Sequence, residues 1–78
     1  MTYQEAYAAL QKKEKGFVAE RVISYKNLFL FTDNKTMSGS YDNWLRSVDK
    51  NNGKIGTFYI NPSNIEDVLD NSEVVKIF

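Results

Sequence analysis

The stretch FVAERVISYKNLFLFT, residues 17–32, decides the fold. Its apolar and β-branched residues follow a period of two, which is typical of extended chain. We predict one strand over residues 18–25 and a second over residues 28–32. A tight turn joins them at Lys26 and Asn27, since asparagine tolerates a positive φ better than most residues. The second strand is apolar on both faces, so both faces of the resulting sheet need cover.

The segment before this stretch predicts a helix over residues 3–15. Thr2 and Glu5 have the spacing of a capping box, in which each side chain binds a free backbone N–H of the other residue. Lysines near the end of the segment suit the negative end of the helix dipole, and Gly16 supplies the left-handed residue that stops a helix. Apolar residues recur with the spacing of one helical face, at Tyr3, Ala6, Tyr7 and Leu10.

A hairpin is predicted further along the chain. Residues 44–48 and 54–60 have the composition of strands, and the polar segment 49–53 between them is typical of a hairpin turn. Either Asn52 or Gly53 takes the left-handed position of this turn.

A short second helix and a last strand complete the prediction. Asn61 can cap the helix and Pro62 suits its first position, because the N–H that proline lacks would be free there. Residues 73–78 form the last strand, and the polar residues 33–43 form an exposed loop that is either mobile or functional. The second helix has an apolar stripe made by Ile65, Val68 and Leu69.

The predicted fold is a single α+β domain over residues 1–78, with the order α-β-β-β-β-α-β. The N-terminal helix packs on a curled antiparallel sheet. Phe29 and Phe31 point away from Leu28 and Leu30, so one of these pairs cannot lie beneath that helix. Either the second helix and the C-terminal tail cover the remaining face, or a partner does. We expect a core that includes Leu10, Ile23, Leu30, Val48 and Phe58.

The charges do not point to a nucleic acid or a membrane as the partner. Ten basic and ten acidic side chains cancel, so the chain has no global field that attracts it to an anionic surface. Residues 55–78 are nevertheless acidic, with Lys76 alone against four carboxylates. No apolar run approaches the roughly 20 residues that span a bilayer, and the N-terminus lacks the layout of a signal peptide. We therefore expect a cytoplasmic protein.

The sequence predicts no catalytic, cofactor-binding or metal site, and so no enzyme. It contains no histidine, the usual general base near neutral pH, and no cysteine, which excludes thiol catalysis and thiolate zinc sites. Residues 49–53 resemble the start of a calcium loop, but Ile60 stands where a later acidic ligand is required. A small nucleic-acid-binding module stays the alternative, because helix-end lysines can contact phosphate and strand aromatics can stack on bases.

The aromatic residues favour an interaction role. We predict that the protein binds another protein or itself through the sheet face that the first helix leaves uncovered. Tyrosine and tryptophan are enriched in interfaces, and a large exposed apolar patch is unusual on a monomer. The candidate partner surface consists of Phe29, Phe31, Tyr41, Trp44 and Tyr59.

One segment carries a family resemblance. Residues 44–55, WLRSVDKNNGKI, contain the pattern V-D-K-x-x-G-x-I, and residues 25–31 match y-x-n-x-F-x-F. Together with the leading helix, this layout resembles small phage and prophage proteins of uncharacterised function, over roughly residues 3–60. The resemblance implies a phage-encoded or prophage-encoded accessory protein, in the host cytosol or associated with the virion. It brings no catalytic residues to this chain.

Overall fold

In a computed structural model, which describes residues 1–33 and 44–78, the chain forms two helices and one antiparallel sheet of five strands. The strands lie in the order β4-β3-β2-β1-β5, so the sheet is open and has β4 and β5 at its edges. The α+β class and the order of elements are confirmed, whereas the curl of the sheet stays a prediction. The elements are α1 Tyr3–Lys13, β1 Ala19–Tyr25, β2 Leu28–Asp33, β3 Trp44–Asp49, β4 Ile55–Tyr59, α2 Ile65–Asn71 and β5 Ser72–Ile77.

Helix α1 begins as predicted and ends two residues early. The Glu5 backbone N–H donates to Thr2 Oγ1 at 3.2 Å, and the Thr2 N–H donates to Glu5 Oε1 at 3.0 Å. The bond from the Thr2 backbone N–H, followed by the Thr2 side chain, holds the pKa of the Glu5 carboxyl below its ordinary value. At the other end, Glu14 leaves the helical conformation although its N–H still bonds Leu10 O at 2.8 Å. Gly16, with φ of 87°, then turns the chain into the sheet.

The two hairpin turns use different residues for the positive φ. In the β1–β2 turn it is Lys26, with φ of 52°, rather than Asn27. Asn27 instead reaches across to the second turn, where its Nδ2 donates to Asp49 Oδ2 at 3.1 Å. In the β3–β4 turn, Gly53 takes the left-handed position with φ of 72°, as predicted.

Helix α2 begins later than predicted. Asn61 does cap, but it caps a turn: its Oδ1 accepts from the N–H of Ser63 at 2.9 Å and of Asn64 at 3.1 Å. Pro62 lies within this turn, and the helix itself starts at Ile65. The prediction that Pro62 opens the helix is therefore wrong, because the Asn61 side chain holds the chain in a tighter turn first.

The core consists of two clusters, one on each face of the sheet. On the face that carries α1, called the α1 face, the buried residues are Ala6, Leu10, Phe17, Ala19, Val22, Phe29, Phe31 and Val48. On the opposite face, called the α2 face, they are Tyr25, Leu30, Leu45 and Val68. The second helix thus covers the remaining face, while the C-terminal tail extends the sheet beside β1.

The expected core is confirmed in part. Leu10, Leu30 and Val48 are fully buried. Ile23 and Phe58 are only half-buried, although both pack against the α2-face cluster. The reason is the size of α2, which has two turns and buries one side chain of its own.

A polar network fastens α2 to the β1–β2 turn. The Tyr25 hydroxyl donates to Asp67 Oδ2, and Lys26 Nζ lies 3.0 Å from the same oxygen. The bond from Tyr25, followed by the bond from Lys26, holds the pKa of the Asp67 carboxyl below its usual 3.8. The carboxylate form of Asp67 is therefore the form that stabilises the docked helix.

The contribution of Asp67 to stability is expected to disappear in acid. Because its folded pKa is lowered, the contribution is complete above the ordinary value near 3.8 and is lost as pH falls through the lowered value. The stability difference between the wild type and Asp67→Asn should therefore shrink as pH is reduced from about 6 to about 2. Urea denaturation at each pH measures it. Asp70→Asn, on the exposed side of α2, is the control, and a difference for Asp67→Asn that does not change with pH would contradict the role of the network.

Candidate functional site

A groove lies on the α1 face where α1 ends and the edge strand β4 begins. The end of α1 and the side chains of β3 and β4 border this open space. The volume of the groove is about 330 Å³. Its lining residues are Leu10, Lys13 and Glu14 of α1 and its C-cap, and Arg46, Ile55, Gly56 and Thr57 of the strands.

One wall of the groove is an ion pair between α1 and β3. Arg46 Nε lies 2.8 Å from Glu14 Oε2, and Arg46 Nη2 lies 3.0 Å from Glu14 Oε1. This bidentate geometry fixes the guanidinium plane. The same guanidinium lies 5.8 Å from the centre of the Phe17 ring. Both partners are partly exposed, so the pair adds little to stability but presents oriented charges to the groove.

An exposed aromatic pair lies beside the groove. Trp44 and Tyr59 are opposite each other on β3 and β4, with ring centres 4.7 Å apart. They are 46% and 41% exposed. Alternation along β3 puts Trp44 on the same face as Arg46 and Val48, which is the α1 face. The groove and the ring pair therefore form one continuous surface.

The predicted partner residues divide into three groups. Trp44 and Tyr59 do lie together. Phe29 and Phe31, at 7% and 1% exposure, lie in the core beneath α1 and cannot belong to an exposed surface. The exposed ring pair thus lies on the α1 face, beyond the helix, whereas the prediction placed the partner surface on the opposite face. Tyr41 and the rest of residues 34–43, including the loop expected to be mobile or functional, lie outside the described residues.

Several groove residues were not predicted from the sequence. Glu14 and Arg46 are 32 positions apart, so no local spacing connects them. Lys13 is one of the lysines near the end of the predicted helix, and Thr57 lies within the predicted strand over residues 54–60. The alternation that puts Ile55, Thr57 and Tyr59 on one face was a signal for this side of β4, but it did not reveal where α1 ends.

The surface formed by the groove and the ring pair can bind a partner through direct side-chain contacts. It offers two aromatic rings in tilted contact, an aliphatic side chain at Ile55, a hydroxyl at Thr57 and the charges of Lys13 and the Arg46–Glu14 pair. Within residues 1–33 and 44–78, no group of three or more histidine, cysteine, aspartate or glutamate side chains lies close enough to hold a metal ion. In the same ranges no helix is long and apolar enough to cross a membrane.

Comparisons with protein-family models, with curated proteins and with solved structures found no match to this chain. Function is therefore inferred from the groove and the ring pair, and the resemblance to phage and prophage proteins stays a prediction.

Proposed function

We propose that the protein is a non-catalytic interaction protein, which binds a protein partner through the surface formed by the groove and the ring pair. We call this the docking surface, made of Lys13, Trp44, Arg46, Ile55, Thr57 and Tyr59. The exposed Trp44–Tyr59 pair carries the proposal. Tryptophan, tyrosine and arginine dominate the energetics of protein interfaces because they bury large areas and still offer polar groups.

The form of the docking surface favours a protein partner. The rings present broad, rigid area at little cost in side-chain entropy. Strand β4 is also an edge of the described sheet, so its outer backbone groups are placed to pair with an extended segment. The resemblance to phage and prophage proteins supports an assembly role in the host cytosol or in the virion.

A nucleic acid is the less favoured partner. The two rings lie against each other, so one face of each is already occupied by its neighbour. Glu14 compensates the charge of Arg46, and the whole chain is neutral. A nucleic-acid module relies on uncompensated cations for most of its affinity.

Photo-crosslinking from the docking surface tests the proposal. A benzophenone amino acid replaces Tyr59 in cells that make the protein, and the adducts are identified by mass spectrometry. We expect a discrete adduct with a polypeptide. The control position is Val75, which is similarly exposed at 40% but lies on β5 at the opposite edge of the sheet; it should give no such adduct.

Two outcomes would count against the proposal. Equal labelling from positions 59 and 75 would show that the adduct is not specific to the docking surface. An adduct with RNA or DNA would favour the nucleic-acid module, and binding to a labelled oligonucleotide should then weaken steeply with salt.

A further inference from the structure

Helix α2 presents an outward surface that its own chain does not cover. Ile65 is 42% exposed and Leu69 is 71% exposed, and the helical spacing of four residues puts them side by side. The carboxylates of Glu66 and Asp70 flank them on the exposed side of the helix. We call these four residues the α2 outer face. An apolar stripe bordered by carboxylates suits an apolar site bordered by cations.

The docking surface has the complementary character. Among the described residues that line the groove, the cations are Lys13 and Arg46 and the carboxylate is Glu14, so this part of the lining has a net positive charge. The α2 outer face has no basic residue, and the last turn of the helix has none. Of the carboxylates of α2, Asp67 is held by Lys26, whereas Glu66 and Asp70 have no ion pair among the described residues.

The two surfaces cannot meet within one chain. The docking surface lies on the α1 face, and Val68 anchors α2 on the opposite face, in the cluster with Leu30 and Leu45. A helix fixed beneath the sheet does not reach a groove above it. Contact between the two surfaces therefore requires a second molecule.

We propose that the occupant of the docking surface is the α2 outer face of a second copy of this chain. The inference rests on the proposed function and names its partner. Leu69 and Ile65 would pack on Ile55 and the ring pair, while Glu66 and Asp70 approach Lys13. Because the two surfaces differ, the contact is head-to-tail. In a pair of copies, one copy keeps a free docking surface and the other keeps a free α2 outer face. Such a contact builds a ring or a filament rather than a symmetric dimer.

Two single substitutions separate the two halves of the contact. Thr57→Glu puts a carboxylate into the groove, opposite the carboxylates of α2. Leu69→Glu removes the most exposed apolar side chain of the α2 outer face. Both positions are exposed in the isolated chain, so neither change removes a core contact. Ile77→Glu is the matched control, because Ile77 is 65% exposed and lies on β5, away from the groove.

Sedimentation velocity of the purified full chain measures the result. We expect the wild type to exceed its monomer mass of 9.0 kDa as concentration rises. Thr57→Glu and Leu69→Glu should each weaken association by about tenfold or more, as changes at an interface hot spot do. Ile77→Glu should associate like the wild type, and added salt should weaken wild-type association.

Mixing the two variants tests the head-to-tail geometry. Thr57→Glu keeps an intact α2 outer face, and Leu69→Glu keeps an intact docking surface. A mixture should therefore form a one-to-one dimer and nothing larger, at a concentration where each variant alone associates at least about tenfold more weakly than the wild type. Circular dichroism of each variant beforehand shows that it is folded.

Three results would overturn the inference. The first is a wild type that stays monomeric at several hundred micromolar. The second is a Thr57→Glu or Leu69→Glu variant that associates as strongly as the wild type. The third is a mixture of the two variants that forms no dimer. A monomeric wild type with a Tyr59 adduct to a different protein would reject the second copy and keep the proposed function, whereas the absence of any Tyr59-specific adduct would reject both.

Discussion

Truncation of Phe31 to alanine is expected to cost about 3–5 kcal/mol of unfolding free energy. Phe31 is 1% exposed, and its ring packs on Tyr7 with ring centres 5.5 Å apart. It joins α1 to the middle of the sheet, so its removal leaves a cavity that neither element can close without moving. Urea denaturation, followed by far-ultraviolet circular dichroism, measures the loss.

Tyr59→Ala is the matched control for this experiment. Tyr59 is also an aromatic strand residue on the α1 face, but it is 41% exposed. Its truncation should cost much less stability than that of Phe31 and should instead weaken partner binding. Equal losses from the two variants would contradict the separation between a buried core ring and an exposed docking ring.

The start of α1 and the order of the elements along the chain were predictable because their signals are local. The capping box at Thr2 and Glu5, the period of two after Phe17 and the turn at Gly53 each lie within a few residues of the structure that they specify. Such signals need no knowledge of the tertiary fold. The start of α2 was missed because Asn61 can cap either a helix or a turn, and here it caps a turn.

The assignment of faces was not predictable in the same way. Alternation shows that Phe29 and Phe31 share a face, but it does not show which helix covers that face. Two irregularities of register add to the difficulty. Between Ala19 and Arg21 the extra residue lies in β1, so a strict period of two fails along this strand. Beside Val22 and Ile23 the extra residue lies in β5, between Lys76 and Val74.

The site was predictable only where its residues are large and aromatic. Trp44 and Tyr59 were identified by residue type, and their pairing follows from the hairpin register. The groove depends on where α1 stops relative to β4, which is set by packing between segments far apart in the chain. Arg46 and Glu14 meet for the same reason, since the end of the helix and the middle of β3 are brought together by the buried cluster beneath them.

Truncation of both Leu10 and Leu30 to alanine is expected to leave the chain largely unfolded. Each is fully buried, one in the cluster of the α1 face and one in that of the α2 face. Each single change should cost about 2–5 kcal/mol. Because the two residues belong to different clusters, the losses should be close to additive. The sum is comparable to the total stability of a domain of 78 residues, about 4–12 kcal/mol at typical values per residue.

The control for the double variant is Leu69→Ala, the same substitution at a site that is 71% exposed. At low micromolar concentration it should change stability by less than about 0.5 kcal/mol, as surface substitutions do. Thermal denaturation followed by circular dichroism compares the four variants. Two single variants with lowered melting temperatures and a double variant without a cooperative transition would show that both clusters are needed. A double variant that melts cooperatively at the wild-type temperature would mean that these leucines do not form the core of the two faces. If they do form it, the loss of buried apolar area on both sides of the sheet must lower the melting temperature.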